Sequence, residues 1–493
     1  MLFNSYIFIF AFLPFMLIGF YTLKKLEYFR ASKLFLVLGS LFFYGYWKLS
    51  YLPILLLSMG INYALAYKIN HSYGGGGAKR TLIVGIIFNL LLLGGFKYTD
   101  FILSNLNSLG TSFPLPHILL PLALSFITFQ QIAFLIDTYK SEKNKPIDWL
   151  DYSLFITFFP QLIAGPIVHH KEMMPQFASL LKKGKELIDW ERFARGLFIF
   201  SIGLFKKVVI ADGFSVWADN GFAYVQKGGV LNFFESWATS LSYTLQLYFD
   251  FSGYCDMAIG IALFFGITLP LNFNSPYKAG NIKEFWKRWH MTLGRFLTQY
   301  LYIPLGGNRR GLFRELSNIF IVFTLSGIWH GAGWGFIIWG ILHAIAMVLH
   351  RIYSFILKKV FGIEEIRSKI YTAICWIITF NFINLSWVFF RSENVSGAMN
   401  LLKGMAGGGG VMLPEKLQSL YIKHFLLSGN QFFVGITHLI NFSLFITLSI
   451  AMIKFQNNKH SIHSLFYSYF MGCIFMLSLC FLSKIQIFIY FNF

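Results

Sequence analysis

"NIFIVFTLSGIWHGAGWGFIIWGILHA", residues 318–344, contains no acid, no lysine and no arginine. From Asn318 to Trp329 it makes about 18 Å of helix at 1.5 Å per residue. It then meets Gly331, Ala332 and Gly333, and the next apolar run returns toward Arg351, Lys358 and Lys359. With the basic residues Arg309, Arg310 and Arg314 ahead of it, the stretch predicts a helical hairpin in lipid, with His330 deep in the bilayer near a tight glycine turn. An ionisable group at that depth is costly, so it is a functional hypothesis by default. A neutral imidazole there can act as a base or a nucleophile. The bland alternative is a core histidine bonded to a backbone carbonyl. The HxxxH and HExxH spacings are absent, so no metal site is expected.

The rest of the chain reads the same way. Of 493 residues, 56% are hydrophobic and 13% charged, and 59 are phenylalanine. A soluble domain carries about 25% charged residues. The composition therefore predicts an all-α polytopic membrane protein in one domain, 1–493. Candidate spans lie near 5–22, 34–48, 51–67, 81–97, 117–137, 194–213, 236–249, 252–269, 316–331, 333–354, 370–390, 433–453 and 464–482. The run 152–168 is broken by Pro160, Gly165 and Pro166 and reads as re-entrant. The expectation is roughly 11–13 transmembrane or re-entrant helices.

Charge supplies a topology. No basic residue precedes the first run, whereas Lys24, Lys25, Arg30 and Lys33 follow it. A secretory signal has the opposite polarity, so this run is read as a retained helix with the N-terminus extracytoplasmic. The excess of 41 Lys+Arg over 21 Asp+Glu gathers in 23–33, 68–80 and 271–315. Such loops attract anionic lipid or a phosphorylated donor. They punctuate apolar spans and build no basic domain, which excludes nucleic acid as a partner. The four cysteines share no CxxC spacing and read as small hydrophobes. The glycine runs 74–77 and 407–410 read as flexible linkers, and His169–His170 as a surface pair.

Two polar clusters stand out. Asp250 and Asp256 bracket "FSGYC" (251–255) and, six residues apart at about 100° each, fall on different helix faces. They predict a structural role, either capping a break at Gly253 or holding a Lys or Arg; a proton path is the alternative. In "EFWKRWHMTLGRFLTQYLYI" (284–303), Trp286, Trp289, Leu293, Phe296 and Tyr300 recur at helical spacing among Lys287, Arg288 and Arg295. That pattern predicts a cytoplasmic-side interfacial helix, with His290 inside it.

Four stretches together resemble a known family: "MLFNSYIFIFAFLP" (1–14), "LPLALSFITFQQIAFLIDTYK" (120–140), "FFPQLIAGPIVHHKEMMPQ" (158–176) and "NFNSPYKAGNIKEFWKRWHMTLGRFLTQYLYIPLGGNR" (272–309), the last followed by the hairpin quoted above. They look like the membrane-bound O-acyltransferases, in the bacterial branch of the alginate O-acetylation membrane subunit. Peptidoglycan O-acetylation and teichoic-acid D-alanylation subunits belong to the same group. The resemblance runs from residue 1 to 397; residues 398–493, read as an extracytoplasmic loop and the last helices, resemble nothing closely. It implies a bundle around a catalytic funnel or tunnel in the bacterial inner membrane. There, acetyl-CoA, a cytosolic thioester, would deliver its acetyl group toward an extracytoplasmic polysaccharide, alginate-like or peptidoglycan. The family's essential histidine maps onto His330 in "WHG", and a second onto His290 in "RWH". Trp286, Lys287, Arg288, Arg295, Asn274, Asp256 and Trp329 are then candidates for the donor tunnel, with the three cations near the donor's phosphates. General-base and acyl-histidine versions both remain open. No cofactor is expected beyond acetyl-CoA as substrate. The chain has no GxSxG and no Gly-Asp-Ser, so the resemblance implies a separate extracytoplasmic serine-type O-acetyltransferase partner. D-alanyl or other acyl transfer is the alternative chemistry, and a transporter the less favoured class, because no internal repeat is visible.

Overall fold

In lipid a backbone must satisfy its own polar groups, and every regular element among the described residues is helical. The computed structural model describes residues 1–72, 76–141, 147–180, 187–364, 366–411, 465–482 and 488–489. A π-helical turn Phe8–Phe12 opens into α1 (Leu13–Lys25), followed by α2 (Phe29–Gly45), α3 (Leu52–His71), α4 (Gly76–Lys97), α5 (Thr99–Ser108) and α6 (Leu124–Lys140). Then come α7 (Trp149–Thr157), α8 (Phe159–Leu162), α9 (His170–Ser179), α10 (Trp190–Phe205), α11 (Asp212–Gln226) and α12 (Phe233–Phe264). The chain continues through α13 (Ile282–Arg288), α14 (Met291–Leu297), α15 (Leu312–His330), α16 (Trp334–Val360), α17 (Lys369–Arg391), α18 (Val395–Met405) and α19 (Leu465–Phe481). Among the described residues, seven helical stretches are long and apolar enough to cross a membrane: Phe8–Lys25, Leu49–His71, Gly76–Lys97, Phe233–Phe264, Leu312–His330, Trp334–Val360 and Lys369–Arg391. The expected span 433–453 lies outside the described residues.

Three local readings change. The runs 236–249 and 252–269 are not two spans but one 32-residue helix, α12. Gly253 does not break it. A Cβ on Gly203 of α10 would stand 2.6 Å from the Gly253 carbonyl oxygen, and one on Gly196 would stand 2.7 Å from that of Gly260. These glycines are there for close helix contact, which leaves the helical ladder intact. The run 407–410 is not a linker but a helix stop. Gly407 and Gly410 have φ of 89° and 91°, and the Gly408 N–H donates to the Lys403 carbonyl at 2.8 Å. His169–His170 is not at the surface: His169 is buried, and the His170 ring lies 5.1 Å from Phe134 and 5.8 Å from Phe155. By contrast, 152–168 is broken at its prolines, into α7, the one-turn α8 and a non-helical stretch before α9.

The chain divides into two compact units. One holds Met1–Leu204, Gly253–Leu271 and Ile474–Phe493. Its core is phenylalanine-rich: Phe3, Phe8, Phe12, Phe43 and Phe159 interlock, with Phe12 edge-on to Phe159 at 5.3 Å. Buried polar pairs fix register there. Asn89 Nδ2 of α4 donates to Asn62 Oδ1 of α3 at 2.6 Å, and Lys33 of α2 pairs with Asp151 of α7.

The other unit holds Phe205–Ser252 and Asn272–Cys473. Its α15–α16 hairpin is the one the opening stretch predicts. The crossing is set by two glycines. A Cβ on Gly327 would stand 2.8 Å from the Gly340 Cα and 2.5 Å from the Phe336 carbonyl oxygen. Close approach there brings His330 of α15 beside the Trp339–His343 face of α16. In the same unit Lys207, on a π-helical turn between α10 and α11, is buried between Asp212 at 2.8 Å and Asp250 at 2.7 Å. Asp250 thus holds a lysine, one of the two roles its position predicts. The Glu315 carboxylate of α15 receives Arg351 of α16 in two hydrogen bonds of 2.7 and 2.8 Å.

Candidate active site

His330 is the last residue of α15, and Gly331 and Gly333 continue in extended backbone. The side chain is 3% exposed. Its Nδ1 lies 2.6 Å from the Ser326 carbonyl oxygen, one helical turn back. A carbonyl only accepts, so Nδ1 carries the proton and Nε2 is the basic nitrogen. Aromatic rings surround the imidazole: Trp329 and Trp339, each at 4.9 Å, and Phe390 at 5.5 Å.

The expected interfacial helix over 284–303 is instead two short helices, α13 and α14, and a π-helical turn Thr298–Tyr302. The break is His290, in the left-handed region at φ 45°. Trp289 and His290 are each 1% exposed, so this face is core and not a membrane surface. The break is stabilised by the strand-like stretch before α13. The Met291 N–H donates to the Asn272 carbonyl at 2.9 Å, and the Asn274 N–H to the Arg288 carbonyl at 2.9 Å. Asn272 Oδ1 accepts from the Thr292 N–H, the Thr292 hydroxyl and His290 Nδ1. The backbone N–H can only donate, which fixes the carboxamide oxygen and makes His290 Nδ1 a donor as well. Both histidines therefore present Nε2 as the base end. Burial, and secondarily His330, hold His290 well below the ordinary histidine range, so it is neutral.

His290 and His330 lie within electrostatic reach of each other, as do His330 and His343. His343 is wired on both sides. Its Nδ1 accepts the Trp286 indole N–H at 3.2 Å, and its Nε2 donates to the Ser386 hydroxyl at 3.0 Å. Ser386 donates onward to the Ile383 carbonyl at 2.8 Å. A fully assigned, neutral His343 orients Trp286 and leaves His330 as the exchangeable base.

Of the residues singled out from sequence, His330, His290, Trp329 and Trp286 come together in this box. Asn274 is exposed and engages Arg288 through its backbone only. Arg288 is bound to Glu284 at 2.8 Å, Lys287 is exposed and Arg295 is half-buried. Asp256 belongs to the other compact unit. The sequence reading missed Asn272, Trp339, His343, Ser386 and Trp387. The spacing Trp339–His343, one turn apart on an apolar helix, was the available signal. Among the described residues no group of three or more His, Cys, Asp or Glu side chains could hold a metal.

The model of the MBOAT, membrane-bound O-acyltransferase family, matches residues 140–390. The chain is 52% identical over 442 residues to a peptidoglycan O-acetyltransferase of Helicobacter pylori, covering 84% of this chain and 81% of that protein. It is 37% identical over 425 residues to a "Probable alginate O-acetylase AlgI" of Pseudomonas aeruginosa, covering 84% and 76%. A teichoic acid D-alanyltransferase of Bacillus subtilis is 28% identical over 288 residues, covering 56% of this chain and 70% of that one.

Proposed function

The chain belongs to the membrane-bound O-acyltransferase family, and from that premise we propose that it moves acetyl groups from cytosolic acetyl-CoA to peptidoglycan, with His330 as the base. It is a multi-pass membrane O-acyltransferase. Peptidoglycan is favoured over an alginate-like glycan by the greater identity to the Helicobacter pylori protein, and D-alanyl transfer is disfavoured by the lower identity and coverage of that relative.

The observation that carries the reading is the fixed tautomer of a buried His330. The acceptor hydroxyl, proposed as that of an extracytoplasmic serine-type partner which then passes the acetyl group to the glycan, is a poor nucleophile at neutral pH. In the proposed step, His330 Nε2 takes the hydroxyl proton as the oxygen bonds to the thioester carbonyl carbon. The C–S bond then breaks, and the proton passes from His330 to the departing thiolate. Such a base contributes about 10² to 10⁴-fold. Lys287, Arg288 and Arg295 are proposed to meet the donor's phosphates, with Lys287 the exposed one of the three. The protein would lie in the inner membrane with its N-terminus outside and would hand its acetyl group to an extracytoplasmic serine-type O-acetyltransferase. The test is ester-linked acetate released by mild base from separated peptidoglycan and exopolysaccharide, comparing wild type with His330→Ala at matched protein level. Loss from peptidoglycan alone supports the reading; loss from exopolysaccharide alone moves the acceptor; no loss from either refutes it.

A further inference from the structure

An indole N–H donates and never accepts, so a buried tryptophan normally finds an acceptor. In the box around His330 the Trp286 N–H meets His343. The Trp339 and Trp387 N–H groups do not: each residue is 1% exposed, and neither Nε1 has an acceptor among the described residues. A buried donor left unmet is costly, and native cores hold few such groups. Here two occur on rings stacked 5.6 Å apart, and one of them lies edge-on to His330 at 4.9 Å. The Trp339 ring is held in place by Trp387 on its face, by Phe390 at 5.0 Å and by His343 at 4.9 Å. Its donor is therefore preorganised, on a ring whose centre lies 4.9 Å from that of the imidazole proposed to take the proton.

We propose that Trp339 is a catalytic residue, its indole N–H hydrogen-bonding the thioester carbonyl oxygen and stabilising the oxyanion formed from it. This rests on the acyl-transfer reading of the site. As the acceptor oxygen bonds to the carbonyl carbon and its proton moves to His330 Nε2, the C=O π pair shifts onto the carbonyl oxygen, where the N–H receives it. On collapse that pair re-forms C=O, the C–S pair leaves on sulfur, and the thiolate takes the proton from His330. One preorganised donor at such an oxyanion is worth about 10² to 10³ in kcat.

The test uses membranes from cells making the full chain with its native partners, measuring initial rates of acetyl transfer to peptidoglycan against acetyl-CoA concentration. Two changes are made at position 339. Trp339→Phe deletes the N–H and shrinks the ring. Benzothienylalanine in place of Trp339 keeps the ring and swaps only N–H for sulfur, so it decides the matter if the phenylalanine variant folds poorly. The expected result is a kcat lower by about 10² to 10³-fold with little change in KM or melting temperature. A benzothienylalanine protein whose kcat stays within about threefold of wild type overturns the role of Trp339. His330→Ala, run alongside, separates the two claims. If His330→Ala is inactive and the analogue active, only the Trp339 assignment falls. If His330→Ala transfers acetate normally, the site itself is wrong.

Discussion

Gly327→Ala adds one methyl group at the point where α15 crosses α16. Its Cβ would stand 2.5 Å from the Phe336 carbonyl oxygen and 2.8 Å from the Gly340 Cα. These are backbone atoms, so no side chain can swing aside. Restoring ordinary contact at 3.4 Å requires the helices to part by about 0.9 Å. Overpacking of this kind costs about 1–3 kcal/mol. The larger effect is geometric, because His330 is three residues beyond Gly327 and Trp339 precedes Gly340. A displacement near 1 Å at a reacting group lowers rate by about 10²-fold. The assay is ester-linked acetate on the envelope glycan at matched protein level, with a melting curve of the purified protein. Gly60→Ala is the control: its Cβ meets nothing within 4 Å, and it should be neutral or stabilise α3 by up to about 1 kcal/mol. If Gly327→Ala keeps wild-type acetate and melting, the glycine crossing does not set the site, and the reasoning from close approach to catalytic geometry fails.

Lys207→Met leaves the Asp212 and Asp250 carboxylates buried without their shared ammonium; the protein should lose about 3–5 kcal/mol, and a wild-type melting curve would refute the triad. Ser386→Ala strands the His343 Nε2–H and should cost about 1–3 kcal/mol in thermal unfolding; a raised KM for acetyl-CoA would follow if Trp286 then drifts. His290 is held below its usual 6.5 when folded, so the unfolded chain binds the extra proton. Stability therefore falls as pH drops below 6.5, by up to about 1.4 kcal/mol per unit from this residue, and His290→Asn should flatten that acid limb in melting experiments. An unchanged slope would mean that His290 ionises in the folded protein.

Much of the fold is written locally. The 318–344 hairpin combines an uncharged run with small residues at its turn, and both signals point one way. The break in 152–168 follows from prolines, which lack the N–H a helix needs. Gly253 misled because glycine has two meanings in a helix, a weak point or a place for another backbone, and only Gly203 on the packed helix α10 distinguishes them. The 284–303 stretch misled because its apolar spacing survives the break. A left-handed histidine has no sequence signature, and its cause lies eighteen residues away in Asn272. His330 was legible as an ionisable residue in an apolar run. Trp339 and His343 were not, because an aromatic stripe at helical spacing describes an ordinary core equally well.

The left-handed backbone at His290 also governs how mutational tolerance at that position should be understood. In a saturation map, residue 290 will look intolerant for two unrelated reasons, because nearly every replacement loses an imidazole and also resists φ near 45°. Asparagine and glycine accept that backbone, whereas valine and isoleucine do not. A ranking in which asparagine and glycine outperform larger, more histidine-like side chains would report on the loop. Uniform loss across all of them would report on the ring.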